Sequence, residues 1–157
     1  MNKIMFVCHG NICRSPMAEF VFKDMVNRLG LSGSFRISSS ATSKEEIDNP
    51  VHYGTRKKLA EYGISTAGKY SVQLKKSDYR NYDYIIGMDS YNIRNIIRIV
   101  GHDVDGKVGR LLDFSDAPKD IADPWYTGNF DETYEDVKKG CEALLNHILS
   151  KTTPEAV

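Results

Sequence analysis

The stretch Phe6–Glu19, FVCHGNICRSPMAE, changes character twice along its length. It ends an apolar run that begins at Ile4, breaks at Cys8-His9-Gly10-Asn11, and resumes at Pro16 with apolar residues at helical spacing. The run Ile4–Val7 is too short for a secretory signal and fits a buried strand. Proline suits the first helical position, and Ser15 just before it is a good N-cap, so a helix is expected from Pro16. Met17, Phe20, Val21, Met25 and Leu29 then recur at three- and four-residue steps until Gly30 stops the run. Strand, sharp turn, helix is the opening of a parallel βαβ unit.

The rest of the chain repeats this alternation. Phe35–Ser38, Tyr84–Met88 and Val108–Leu111 read as further strands. Helical spacing marks Val51–Tyr62, which ends at Gly63, and Tyr91–Val100, which carries Ile93, Ile96, Ile97 and Val100 and ends at Gly101. A long last helix, Tyr134–Leu149, places Val137, Cys141, Leu144, Leu145 and Ile148 on one face. The expected fold is α/β with three layers, a parallel sheet covered by helices on both faces. Residues 1–150 form one domain in this reading, and 151–157 a flexible tail. In open sheets of this kind ligands bind at the carboxyl ends of the strands, where Cys8 falls.

Composition narrows the function classes. The 157 residues are 41% hydrophobic and 27% charged, which suits a folded globular domain rather than a disordered one. The 21 basic and 21 acidic residues cancel, so no nucleic-acid or membrane partner is expected on electrostatic grounds. No apolar run approaches membrane-spanning length. Three cysteines are an odd number and do not make a disulfide framework, which points to the cytoplasm.

The turn itself carries the chemistry. Gly10 and Asn11 are residue types that tolerate positive φ, so the loop can curl and aim successive N–H groups into one concavity above a helix N-terminus. That is an anion site of phosphate size. Arg14 adds a planar fork for two anion oxygens, and the same positive field favours a thiolate nucleophile at Cys8. His9, Gly10, Asn11, Ile12, Cys13 and Ser15 complete the candidate binding loop, with Ser15 placed to donate to the sulfur as it leaves. Three other readings compete. A single cysteine after a strand is commonly packing. Two cysteines and a histidine can hold metal, but no second pair exists, and Cys141 lies on an apolar helix face. A nucleotide loop needs G-x-x-x-x-G-K-[ST], of which only Gly10 is present.

VCHGNICRSPMAE resembles the C-x5-R-[ST] phosphate loop of the low-molecular-weight protein tyrosine phosphatases, and ADPWY at Ala122–Tyr126 is similar to that family's late Asp-Pro-aromatic motif. The resemblance spans essentially the whole chain. It implies a flavodoxin-like strand order, 2-1-3-4, and hydrolysis of phosphotyrosine in proteins. Cys8 would form a cysteinyl-phosphate, Arg14 would hold the equatorial oxygens, and Asp123 would act as general acid and then base. Asp113, Asp116 and Asp120 precede it as lesser candidates. Trp125 and Tyr126 would form an aromatic rim. No metal or cofactor is needed, since the loop and Arg14 supply the positive field. The implied partners are a tyrosine-phosphorylated protein, inorganic phosphate or another oxyanion, and a cognate tyrosine kinase. Cys13 would protect Cys8 from oxidation through a disulfide.

Two positions bear on specificity. Ile12 gives the cleft an apolar wall suited to an aryl ring, whereas the related protein-arginine phosphatases resemble a threonine there. After the second strand the family pattern S-A-G-T-plus-aromatic is replaced by Ser40-Ala41-Thr42, with Glu45 where the aromatic is expected. Glu45 with Lys44 and Glu46 reads either as a solvated face or as an altered pocket rim. Ser39 or Ser40 is placed to hold Asn11. Protein-arginine phosphatase, thiol-dependent arsenate reductase and a phosphotyrosine-binding module are the alternatives. The second needs a relay cysteine that Cys141 supplies poorly, and the third would lack the nucleophile or the acid.

Overall fold

The computed structural model of the chain describes residues 1–152. Strand β1 (Asn2–Cys8) sends Ile4, Phe6 and Cys8 to one core cluster, and Met5 and Val7 to a second on the opposite face. A strand buried on both sides needs apolar residues in both registers, which is why Ile4–Val7 shows no alternation. With β2 (Phe35–Ala41), β3 (Tyr84–Gly87) and β4 (Val108–Arg110) it forms a sheet in the order β2-β1-β3-β4. Every pairing is parallel, with Cys8 opposite Ala41 and Val7 opposite Gly87. This is the order the resemblance implied. The direction of winding reverses between β1 and β3, so the carboxyl end of β1 borders the crevice where such sheets bind ligands.

The helices, in chain order, are α1 (Arg14–Arg28), α2 (Tyr53–Ala60), α3 (Asp78–Asn81), α4 (Ser90–Val100), α5 (Pro124–Thr127) and α6 (Phe130–Thr152). α1 and α6 cover the Phe6 face, where Met17, Phe22, Leu144 and Ile148 are buried together. α4 covers the other face with Ile96 and Val100 against Val7 and Ile85. Among the described residues, no helix is long and apolar enough to cross a membrane.

Several boundaries differ from the sequence reading, each for a local reason. α1 starts at Arg14 rather than Pro16, and its N-cap is Cys13, which makes no side-chain capping bond. Pro16 falls within the first turn, where its missing N–H costs nothing. Ser15 is therefore not the cap; its hydroxyl lies 3.0 Å from the Cys8 sulfur instead. The buried stripe of α1 is Met17, Ala18, Val21, Phe22 and Val26, while Leu29 is 58% exposed. Phe22 sets that rotation, since its ring lies 5.8 Å from Phe6 and 5.6 Å from Phe35. α2 starts two residues later than expected, after Val51 has been buried in extended chain. β4 stops at Arg110 because Leu111–Phe114 turns into a 3-10 segment.

α6 begins at Phe130, ahead of Tyr134, and buries Val137, Cys141, Leu144, Leu145 and Ile148 as expected. It runs to Thr152, so the tail expected from residue 151 starts inside the helix; residues 153–157 lie outside the described part. α3 and α5 have only four residues each, too few to carry a periodic signal.

Candidate active site

The loop between β1 and α1 turns its carbonyls outward. Thr42 and Ser43 donate their backbone N–H groups to the carbonyls of Cys8 and His9, each at 3.0 Å. Ser71 Oγ donates to Gly10 at 2.8 Å, the His52 N–H to Ile12 at 2.8 Å, and Thr55 Oγ1 to Cys13 at 3.1 Å. In a trans peptide unit the next N–H points opposite to the carbonyl. The amides of His9, Gly10, Asn11, Cys13 and Arg14 are thereby aimed at the inside of the loop. The Asn11 N–H shows the result directly, donating to Cys8 Sγ at 3.3 Å.

Cys8 is 3% exposed at the end of β1. Its sulfur is met by the N–H groups of Asn11 and Ser15, at 3.3 and 3.4 Å, and by the Ser15 hydroxyl at 3.0 Å. Donors grouped round a sulfur stabilise its charged form. Asn11 has φ of 57°. Its side chain accounts for that conformation: Nδ2 donates to Ser15 Oγ at 2.8 Å and Ser39 Oγ at 2.9 Å, while Oδ1 accepts from the Val72 N–H at 3.2 Å. Ser39, rather than Ser40, is the serine that holds Asn11. Ser39 in turn donates to the buried Glu19, which also pairs with Lys23. Gly10 does not use positive φ. A Cβ there would lie 3.3 Å from Glu46 Cγ, so glycine serves a close approach instead.

Arg14 is 3% exposed and spans the crevice. Nη1 donates to Asp89 Oδ2 at 2.6 Å and to the Ile121 carbonyl at 2.9 Å; Nη2 lies 3.4 Å from Asp123 Oδ2. Burial works against its charge, but Cys8, Asp89 and Asp123 outweigh that and hold the guanidinium above its ordinary range. Asp89 caps α4 by accepting the Asn92 N–H, which fixes it at the carboxyl end of β3. Asp123 caps α5 through the Trp125 N–H at 3.0 Å, with Pro124 at the first helical position. Asp120 and Asp113 are engaged elsewhere, both by Arg110. Asp116 lines a separate surface cleft beside α6.

One cavity brings together Cys8, His9, Gly10, Ile12, Cys13, Arg14, Asp123, Trp125 and Tyr126. Asn11 and Ser15 do not line it; they stand behind its wall as described. Glu45 and Glu46 line it as well, so the acidic segment is part of the rim. Glu45 Oε2 meets His9 Nε2 at 3.0 Å, and Glu46 accepts from Asn49 Nδ2 at 2.6 Å. Trp125 and Tyr126, across the opening, are 57% and 82% exposed. Burial, with the neighbouring Cys8 and Asp123, pushes the Cys13 thiol up to about 12, so Cys13 stays protonated at neutral pH.

The family description "low molecular weight phosphotyrosine protein phosphatase" matches residues 3–154. This chain belongs to that family. The low molecular weight protein-tyrosine-phosphatase YfkJ of Bacillus subtilis is 41% identical over 150 residues, which covers 94% of this chain and 96% of the relative. Its crystal structure superposes with a TM-score of 0.94 at 40% identity over 98% of both chains. The crystal structure of SP-PTP, the low molecular weight protein tyrosine phosphatase from Streptococcus pyogenes, is 42% identical with a TM-score of 0.83, covering 99% of this chain and 95% of that one. The protein is accordingly a low molecular weight protein tyrosine phosphatase in fold and family.

Sequence reasoning missed Asp89 in this phosphatase. Asp89 had a usable signal, since Met88-Asp89-Ser90 sits where a strand passes into a helix, at the same sheet edge as Cys8. Cys141 is fully buried in α6, its Sγ facing the Ala18 carbonyl at 3.7 Å, and burial raises its thiol. A relay between Cys141 and the loop would need that core to open.

Proposed function

We propose that the protein hydrolyses phosphotyrosine in proteins through a cysteinyl-phosphate on Cys8. The observation that carries this reading is the convergence of inward amides, Arg14 and Asp123 on the cavity floored by the Cys8 sulfur. The Cys8 thiolate attacks phosphorus in line with the phenolic oxygen. An S–P bond forms, the P–O bond breaks, and protonated Asp123 gives its proton to the departing phenolate. The equatorial oxygens take the loop amides and the Arg14 fork, drawing Nη2 from its 3.4 Å contact with Asp123. Asp123, now a carboxylate, accepts a proton from the water that attacks phosphorus. The S–P bond then breaks, and the Ser15 hydroxyl donates to the departing sulfur, from which it lies 3.0 Å away. Asp89 keeps Arg14 in place throughout.

Ile12 gives the cleft its apolar wall and Trp125 and Tyr126 its far rim, which suits an aryl phosphate better than a short alkyl one or a guanidinium. A tyrosine-phosphorylated protein is the substrate, inorganic phosphate the product held by the same loop, and a tyrosine kinase the enzyme that must supply the substrate. Three free cysteines support a cytoplasmic location.

A substrate panel tests the reading. Phosphotyrosine peptides and p-nitrophenyl phosphate should be hydrolysed, in chelator as well as without it, while phosphoserine peptide, phosphoarginine and arsenate with thiol should give little turnover. Within the phosphotyrosine set, Glu45 and Glu46 should favour basic over acidic flanks, by roughly 3- to 10-fold at low ionic strength and less as salt screens the rim. Preferred hydrolysis of phosphoarginine would overturn the substrate assignment.

Oxidation gives a second test. Peroxide should inactivate the enzyme, phosphate should slow that loss, and thiol reductant should reverse it through a Cys8–Cys13 disulfide. Since Cys13 is a protonated thiol until about pH 12, bridge formation should accelerate with rising pH. Cys13→Ser should leave peroxide damage irreversible, whereas Cys141→Ser should behave like the parent. A Cys8–Cys141 bridge, found by mass spectrometry, would overturn this account.

A further inference from the structure

We infer that His52 is a positioning residue that ties the acid-bearing segment to the phosphate loop, so that Asp123 is aimed by contacts made through Trp125. The inference rests on the proposed role of Asp123.

His52 touches both halves of the site. Its backbone N–H donates to the Ile12 carbonyl at 2.8 Å, the bond that helps turn the loop amides inward. Its ring meets Trp125 edge-on at 5.5 Å between centroids, and Trp125 lies two residues from Asp123 in the same capped turn. The imidazole also stacks on Phe130 at 5.5 Å and 8°. Phe130 itself lies so close to α2 that a Cβ on Gly54 would come within 2.2 Å of its ring. One imidazole thus sits between α2, α5 and the start of α6, each of which borders the cavity or supports a residue that does.

The residue type is informative. His52 is the N-cap of α2, and its Nδ1 accepts the Gly54 N–H at 3.0 Å. Capping alone would be served as well by asparagine, aspartate or serine, the residues usually found there. An imidazole adds an aromatic plane, and that plane is what Trp125 and Phe130 use. Asp123 has few other anchors. Its carboxylate is held by the Trp125 N–H and a long contact to Arg14, while Thr133 Oγ1 donates to the preceding Ala122 carbonyl at 3.1 Å. With the ring removed, the turn carrying Asp123 keeps its cap and its Thr133 bond but loses its lateral wall.

His52→Asn separates the two roles. Asparagine preserves the backbone N–H to Ile12 and an acceptor for Gly54, and removes only the plane. A misaimed acid hurts poor leaving groups selectively, and an ångström of misplacement costs up to about 10²-fold. His52→Asn should therefore lower kcat on phosphotyrosine peptide by roughly 10- to 100-fold and on p-nitrophenyl phosphate by less than about 3-fold. His52→Phe, which restores the plane without the cap, should recover most of the phosphotyrosine rate. Trp125→Leu, which also removes part of the aryl rim, should lower kcat on phosphotyrosine peptide more than on p-nitrophenyl phosphate, and that selective part of the loss should not add to His52→Asn in the double variant. Trp125 is the sole tryptophan, so in His52→Asn and His52→Phe its emission reports whether the contact is lost. Equal losses on both substrates, or additive selective losses in the double variant, would overturn the inference. A variant too unstable to assay leaves the Trp125→Leu and His52→Phe ratios to decide it. Should Asp123→Asn itself show no leaving-group dependence, the acid assignment fails first, independently of His52.

Discussion

Cys8→Ser is expected to remove phosphatase activity on every ester, by about 10⁴- to 10⁶-fold on the scale set by nucleophile knockouts in other covalent enzymes. The cause is ionisation. A serine hydroxyl in the same place is not ionised at neutral pH, so the donors that surround the sulfur have no anion to stabilise. Those donors are the N–H groups of Asn11 and Ser15 and the Ser15 hydroxyl. The replacement is smaller by little and stays polar, and the loop is held by bonds to Thr42, Ser43, Ser71, His52 and Thr55 that do not involve the sulfur. The variant should therefore fold and still bind phosphate or a phosphotyrosine peptide, measured by calorimetry. Retention of most turnover would move the nucleophile elsewhere, and loss of both turnover and anion binding would mean that the sulfur organises the loop rather than attacks.

That separation is possible because the loop is built from outside, and this explains what could be read in advance. Cys8, Arg14 and Ser15 are neighbours in sequence, and a strand followed by a helix forces the chain between them to turn, so the anion site was legible from one short stretch. Asp123 was legible only because Asp-Pro-Trp matched a second motif. The outward bonds were not legible, since Ser71, His52 and Thr55 reach the loop from distant segments with no spacing rule to reveal them. The start of α1 was misplaced for a chemical reason. Ser15 followed by proline looks like a cap, but its hydroxyl is taken by the sulfur and by Asn11 Nδ2. The stripe on α1 was ambiguous because Met25 with Leu29, and Phe22 with Val26, both recur at four-residue spacing. Packing of Phe22 between Phe6 and Phe35 chose the second. α6 began early because Phe130 is anchored by His52 and Gly54, whereas the polar Asp131 and Glu132 after it hid the helical pattern.

Asp123→Asn should slow phosphotyrosine peptide by roughly 10²- to 10³-fold, within the range for loss of a general acid, and activated aryl phosphates by less than about 10-fold. The substitution is unusually clean. Asparagine is as good an N-cap as aspartate, so the Trp125 N–H that Asp123 accepts at 3.0 Å should keep its partner and α5 its position. What is lost is the proton and the negative charge. The proton matters in proportion to the basicity of the leaving oxygen, which is high for tyrosine and low for a nitrophenol, so the two substrates separate chemistry from folding. The lost charge acts in the other direction, because the carboxylate faces Arg14 Nη2 at 3.4 Å and competes with a phosphate for it. KM for phosphate esters and the affinity for inorganic phosphate should therefore stay the same or improve while kcat falls. The neighbouring carboxylates cannot take over. Asp120 is bound to Ser90 and Arg110, and those contacts outweigh its burial and hold it in the ionised form, without a proton to give. Asp89 is committed to Arg14 at 2.6 Å. A plot of log kcat against leaving-group pKa, for a series of aryl phosphates, should be nearly flat for the parent and steeply negative for the variant. Parallel lines would take the acid role away from Asp123.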